Sequence, residues 1–384
     1  MYRTEESAKP FTKMGMKAIH ITEWCGVDTV PETIVFGDVP DLNPPVKNEV
    51  IIKLKASAIN IDDIALLQDT AGGGWFFHAR KPSVSAPLVG GCEYAGVVLA
   101  CGPDCTRLKV GDRVCGINET VFKKQPGTWA EKTMSLEEDI VSIPEDLDIS
   151  FVDAASLCMG AFVSGVMYKQ AKFSTSDAGG GVQDLRVLVF GASGGLGTIM
   201  LQLLASHKPA PPHITAICSG KNVNMVRELG ADEVVDYSKG PIATQLQLAD
   251  TEQFDVVFDL VGGVETEESA SSVLRKGGKF ITGVGPIRYL GERQITFYEW
   301  MVGFAFGLTW RMLKGSMPWA KHSYELRAVP PPLKAEDFER VAVQAGVRGK
   351  IALEVPFKEN PLREALRLVG SRSAGGKVVI NFET

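Results

Sequence analysis

Histidine is scarce in this chain. The 384 residues include five, at His20, His78, His207, His213 and His322, and no two stand at the spacing by which a pair holds one metal ion. Of the seven cysteines (Cys25, Cys92, Cys101, Cys105, Cys115, Cys158, Cys218), none forms the close C-x-x-C pairing of a structural zinc site. No metal is therefore expected. An odd cysteine count without an opening signal peptide points to buried, reduced thiols, so a cytoplasmic location is expected, with the mitochondrion as the alternative. The opening "MYRTEESAKPFTKMG" carries two adjacent glutamates, which a mitochondrial presequence seldom does. Long apolar runs are also missing. The most apolar stretch, "WMVGFAFGLTW" (Trp300–Trp310), falls well short of the roughly 20 residues of a membrane span. It is flanked by Glu299 and Arg311, and reads as a buried or interface helix, with no membrane contact expected. Nor is there a basic excess. Forty Lys and Arg stand against 46 Asp and Glu, a net charge of −6, with no basic run interleaved with aromatics. Nucleic acid is not an expected partner.

What is present is the composition of a soluble globular protein, 45% hydrophobic and 22% charged, in a chain long enough for two domains. The first part reads as short strands between turns: "EVIIKLKASAIN", "EYAGVVLACG" and "GDRVCGI", separated by "GGGW", "VGG" and "CGPD". That pattern implies a compact, barrel-like β domain. Near Asp153 it gives way to the helical "DAASLCMGAFVSGVMYKQA" and a polar loop, "SDAGGGVQD". Strands and helices then alternate: "RVLVFGA", "GTIMLQLLASH", "HITAICS", "NMVRELG", "EVVDY", "FDVVFDLVG", "GKFITGVG". This rhythm is that of a doubly wound parallel sheet. "SYELRAV" reads as a sixth strand, "AEDFERVAVQAG" as a helix, and the tail as strand, helix, strand.

The first strand of that series runs into "GASGGLG", with Gly191, Gly194 and Gly197 at intervals of three. A glycine turn between a strand and a helix lets the backbone approach a diphosphate, and the helix start offers free N–H groups and the positive end of its dipole. No Gly-Lys-Ser/Thr closes the loop, so a mononucleotide phosphate loop does not fit. A dinucleotide does, contacted by Ser193, Gly194, Gly195, Leu196 and Gly197. An acid at the end of the second strand would bond the ribose 2′-hydroxyl of NAD. "ICSGKN" instead has Ser219 and Lys221 there, groups that would hold a 2′-phosphate. Tyr237, closing the third strand, is placed to pack on the adenosine end. Val261 and Val284, at the ends of the next two strands, complete the expected contacts. The expected cofactor is NADPH.

"VLVFGASGGLGTIMLQLLA", "LGADEVVDY", "FDVVFDLVGG", "PLVGGCEYAGVV" and the tail "VQAGVRGKIALEVPFKENPLREALRLVGSRSAGGKVVINF" resemble the zinc-independent quinone oxidoreductase branch of the medium-chain dehydrogenase/reductases. The tail is similar in particular to the reticulon-4-interacting protein 1-like members. The resemblance implies a GroES-like β-barrel domain over residues 1–155, a Rossmann domain over 156–347, and a segment, 348–384, that returns to the first domain. Family members are often homodimers. Zinc-dependent relatives carry Gly-His-Glu, whose histidine binds the metal; the matching stretch here is Gly91-Cys92-Glu93. Asn60 and Asp63 match the branch's Asn-x-x-Asp element. Asn60 is the candidate catalytic residue, contacting substrate or nicotinamide, with capping of the turn as its other possible role. Asp63 reads as structural and Tyr94 as core rather than pocket lining. Two departures stand out: "IALLQDTAGGGWFF" follows the Asn-x-x-Asp element where an arginine and a glycine are usual, and Val163, with Ser164 next, stands where a threonine often contacts the carboxamide.

Without a Lewis acid to stabilise an alkoxide, the natural reaction is hydride transfer to an acceptor whose conjugation spreads the developing charge, a quinone or an α,β-unsaturated carbonyl. Two other readings stay open: a trans-acting enoyl reductase of polyketide or fatty-acid assembly, and a nucleotide-binding protein without turnover.

Overall fold

A computed structural model of the chain describes residues 15–26, 29–68, 81–118, 127–173, 185–246, 253–287, 298–326 and 334–384, with the backbone alone at Ala243, Trp300 and Phe304. The "GGGW" turn, the "SDAGGGVQD" loop and the first fourteen residues lie outside these. The strands form three sheets. Antiparallel pairing joins β1 (Met16–Ile21) to β2 (Val35–Val39) and to β4 (Leu88–Val89). A larger sheet contains β3 (Glu49–Ile59), β5 (Glu93–Cys101), β6 (Arg113–Ile117), β7 (Lys132–Leu136) and β8 (Ile140–Ser142), together with β15 (Ile351–Pro356) and β16 (Lys377–Asn381). The last strand returns across the whole chain to pair with β3, Val378 opposite Ile59 and Asn381 opposite Ala56.

The third sheet holds β9 (Arg186–Phe190), β10 (His213–Cys218), β11 (Glu233–Asp236), β12 (Phe254–Asp259), β13 (Leu274–Thr282) and β14 (His322–Leu326). All its pairs are parallel, and their order is β11-β10-β9-β12-β13-β14. Counted along this sheet alone, that is the 3-2-1-4-5-6 order of a Rossmann fold. Its strands are apolar on both faces, as central parallel strands covered by helices must be: all six residues of β12 are buried. Because the order reverses between β9 and β12, their outgoing loops diverge and leave a crevice at the carboxyl ends of the strands. With its β-sheet first domain, the chain has the α/β two-domain architecture expected from the sequence.

One helix, Phe151–Ala171, joins the two parts. Ser150 caps it by accepting the Asp153 N–H at 3.0 Å. Small residues along it, Gly160 and Ser164 among them, let it lie against the helix Gly195–Ala205 that follows the glycine turn. A Cβ at Gly160 would overlap Ile199 Cδ1.

"WMVGFAFGLTW" is helical, and none of its described side chains is buried. Wide turns over Glu299–Phe306 lead into the helix Gly307–Gly315, which has no buried residue. Phe306 is 65% and Trp310 63% exposed. Arg311 ties this helix down through Glu267, at 2.5 Å.

Filling the space at Gly160 is expected to cost about 1–3 kcal/mol in Gly160→Ala. Ile199→Val, which removes the overlapped atom, should cost about 1 kcal/mol alone. The double variant should lose less than the sum in urea unfolding, and strict additivity would contradict this packing.

Candidate active site

The glycine turn sits at the reversal point of the parallel sheet. Gly191 has a φ of +72°, which favours glycine, and its Cα lies against Val261, whose Cγ2 would be 3.0 Å from an added Cβ. At Gly197 an added Cβ would overlap the Gly191 carbonyl oxygen and lie 2.7 Å from the Ala192 backbone. The first turn of the helix can close onto the strand only if that position is glycine. Gly194 differs. A Cβ there would make one ordinary contact, 3.4 Å from the Gly191 oxygen, and the residue is exposed. The protein's own packing leaves this approach to the helix N-terminus open, the form a diphosphate cradle takes. Ser193 and Leu196 are half-buried in the same turn. The Leu196 carbonyl accepts the Ser164 hydroxyl at 2.9 Å, so this hydroxyl is engaged in joining the two helices. Val163 lies beside Gly283, its Cγ1 placed 3.2 Å from an added Cβ there.

Val261 and Val284 stand on neighbouring loops held by a buried pair that the sequence reading did not single out. Asp259 Oδ1 accepts the N–H groups of Val261 and Gly262 at 2.9 and 2.8 Å, and Oδ2 accepts the Thr282 hydroxyl at 2.7 Å. Thr282 Oγ1 in turn accepts from Val284 and Gly285, at 3.2 and 2.9 Å. Burial pushes the Asp259 carboxyl above its ordinary value, against these bonds, which pull it down. An acid closing the strand "FDVVFD" just before Gly262-Gly263 was the available signal.

On the other side of β9, Ser219 and Lys221 follow β10, and Tyr237 follows β11 with 57% of its surface exposed. Lys221 Nζ donates to the Ser373 carbonyl at 3.1 Å, and Asn222 Nδ2 donates to Ser219 Oγ at 3.2 Å. Asp236, also missed, fixes this corner. Its carboxylate accepts Ser238 N and Oγ at 3.0 and 2.7 Å and bonds the Gly220 backbone, contacts that hold it below its ordinary pKa.

Asn60 lies in the other domain. It stands at the N-cap of the helix Ile61–Leu67, where its own N–H donates to Asp63 Oδ2 at 2.7 Å and its backbone carbonyl accepts the Asp63 N–H at 3.2 Å. Its amide is fully directed: Nδ2 donates to Glu93 Oε2 at 2.9 Å, and Oδ1 accepts from Lys377 Nζ at 2.7 Å. Lys377 also reaches Glu93 Oε2 at 2.6 Å, with the two side chains 4% and 0% exposed. Glu93 Oε1 accepts the backbone N–H of Met159, within the joining helix, at 2.6 Å. The Lys377 stem rests on the cofactor turn, its Cδ 2.5 Å from where a Cβ on Gly195 would stand. Glu93 was legible only as the end of Gly-Cys-Glu, and Lys377 stood unassigned in "GGKVVINF". Tyr94, beside Glu93, is wholly buried, its hydroxyl 3.4 Å from Ser135 Oγ.

This centre does not fit zinc. Burial, then the charges of Asp63 and Glu93, push the Cys92 thiol well above its ordinary pKa, which disfavours the thiolate a metal needs. The Lys377 ammonium already neutralises Glu93. Among the described residues no group of three or more His, Cys, Asp or Glu side chains could hold a metal ion.

Comparison with known proteins agrees with this architecture. Residues 46–145 match the alcohol dehydrogenase GroES-like domain, and residues 229–380 match the family described as zinc-binding dehydrogenase. The bovine (Bos taurus) mitochondrial NAD(P)H oxidoreductase RTN4IP1 is 30% identical over 363 residues, 89% of this chain and 83% of the relative. A chloroplastic NADPH-dependent alkenal/one oxidoreductase of Arabidopsis thaliana is 31% identical over 283 residues, 72% of this chain and 65% of the relative. Among solved structures, the quinone oxidoreductase from Coxiella burnetii superposes with a TM-score of 0.70 at 20% identity, over 95% of this chain and 99% of that one.

Two outcomes test the centre. Lys377→Met leaves Glu93 buried and unpaired and should lower the unfolding free energy by about 3–5 kcal/mol; adding Glu93→Gln should recover much of that loss in urea titration. Burial also raises Asp63 from 3.8 to about 7. The folded state then holds a proton that the unfolded chain has released. That contribution is complete below pH 3.8 and is lost as pH rises through about 7. Between those limits stability should fall with pH by up to about 1.4 kcal/mol per unit. A series of denaturation curves on Asp63→Asn should show that slope flattened.

Proposed function

The chain belongs to the medium-chain dehydrogenase/reductases and is quinone oxidoreductase-like, and we propose on that basis that it transfers hydride from NADPH to a quinone or an α,β-unsaturated carbonyl. The observation that carries the reading is the Glu93–Lys377 pair. With an ammonium ion bonded to the carboxylate of the Gly-Cys-Glu motif, the chain has a fixed cation there in place of a metal-binding set. An acceptor must then disperse the developing charge through its own conjugation.

NADPH supplies the hydride. The turn Ser193–Gly197 would take its diphosphate, Val261 and Val284 would border the path toward the nicotinamide, and Ser219 and Lys221 would hold the 2′-phosphate, with Tyr237 packing on the adenosine. Lys221 already points its ammonium at an oxygen, the Ser373 carbonyl, which a phosphate of full charge would outbid. Asn60 is half-buried, and the second hydrogen of its amide nitrogen would donate to the acceptor's carbonyl oxygen. The two domains would hold nicotinamide and acceptor face to face and keep water out, which is most of the catalysis such a reaction asks for. The mitochondrial location in the bovine relative's name supports the mitochondrial alternative over the cytoplasmic location expected from the sequence. A homodimer is part of the same reading, with β14 at the edge of its sheet as the surface on which a second copy would pair.

An acceptor panel under matched conditions tests the proposal: a benzoquinone, a naphthoquinone, an acyclic enone, an alkenal and an enoyl thioester. NADPH oxidation with the quinones or enones is expected, and activity confined to the thioester would favour the enoyl reductase reading. NADPH should be preferred to NADH, and Lys221→Ala should lower that preference by roughly tenfold, the share of one charge-assisted phosphate contact. Equal rates with both cofactors in the native chain would contradict the phosphate assignment.

A further inference from the structure

The Asn60 amide has one orientation that satisfies both its neighbours. Glu93 Oε2 can only accept and therefore takes Nδ2, while the Lys377 ammonium can only donate and takes Oδ1. Without the ammonium, nothing in this set holds Oδ1 in place. The same lysine begins β16, whose backbone is fixed on both sides: Lys377 N donates to the Lys350 carbonyl at 2.7 Å, and Val378 pairs with Ile59 beside Asn60. Its stem then crosses the first residue of the cofactor helix, Cγ and Cδ standing 3.2 and 2.5 Å from a Cβ built on Gly195. One side chain therefore touches the cofactor turn with its stem and the candidate acceptor contact with its head.

We propose that Lys377 is the positioning residue for hydride transfer: it sets the rotamer of Asn60, polarises that amide through Oδ1, and spaces it from the start of the cofactor helix. Polarising an amide at its oxygen strengthens its N–H groups as donors, and the free Nδ2 hydrogen is the one offered to the acceptor. Lys377 acts through Asn60 and touches neither cofactor diphosphate nor acceptor. This rests on the reductase reading above.

A purely structural role is separated by the double variant Glu93→Gln/Lys377→Met, in which the introduced amide keeps an acceptor for the Met159 N–H and no buried charge is left alone. Folding is followed by circular dichroism and urea, NADPH affinity by fluorescence titration, and turnover with the best acceptor of the panel. The double variant should fold and bind NADPH nearly as the native chain does. Its kcat should fall roughly 100-fold, the cost of a small misplacement of reacting groups, with little change in acceptor KM. Lys377→Arg, which keeps a donor cation, should retain more activity than the double variant. Asn60→Ala added to the double variant should cost little further, since both act on the same contact. A double variant that folds and turns over at the native rate overturns the proposal. So does a full additional loss on removing Asn60. If the native chain reduces no acceptor, the reductase reading fails by itself. Lys377 is then judged by a crystal structure of the double variant: an Asn60 amide turned from its native orientation supports the positioning role, and an unchanged one overturns it.

Discussion

Glu93 and Lys377 meet at 2.6 Å with almost no solvent on either side chain. Removing two charges from water is costly, and the cost is offset only where geometry and further hydrogen bonds are good. Here they come from separate parts of the chain: Met159 from the joining helix, Asn60 from the end of β3, and the lysine from the last strand. If any of these segments docks wrongly, a buried carboxylate or ammonium is left without a partner. The pair thereby ties the docking of the two domains to the shape of the centre between them. It also fixes a cation in place there.

The parallel sheet contributes a second constraint of a different kind. Its loops are shaped by backbone contacts rather than charge, with Gly197 closed onto Gly191 and Gly262 packed on Val284, whose Cγ1 would lie 2.5 Å from an added Cβ. Asp259 and Thr282 brace two of those loops from below. The result is a crevice whose floor is set before any ligand arrives, as preorganised binding requires. At the outer corner, Lys221 and Tyr237 are exposed enough to adapt to what is bound.

Much of this could be read along the chain. Strand and helix periodicity marked β9 to β14, because a parallel strand covered on both faces must be apolar throughout and its helices must present one apolar side. The glycine turn was legible for the same local reason: its sterics involve residues within a few positions of one another. Of the two readings of "WMVGFAFGLTW", burial within the chain was the one that failed, since apolar composition marks a segment that can be buried and says nothing about whether this chain has a surface to bury it. Val163 and Ser164 could be located by alignment with a family pattern, yet the engagement of the Ser164 hydroxyl by Leu196 depends on how two helices meet.

Order along the chain was enough for the α/β architecture and the glycine turn between β9 and its helix, both of which follow from backbone hydrogen bonding and sterics over short range. What Asn60, Glu93 and Lys377 are to one another came from the folded molecule alone. Glu93 and Lys377 lie 284 positions apart, and no periodicity or spacing connects them. Their partnership exists because β16 returns to pair with β3 and brings the lysine's ammonium to a buried place where that carboxylate and that amide are both satisfied.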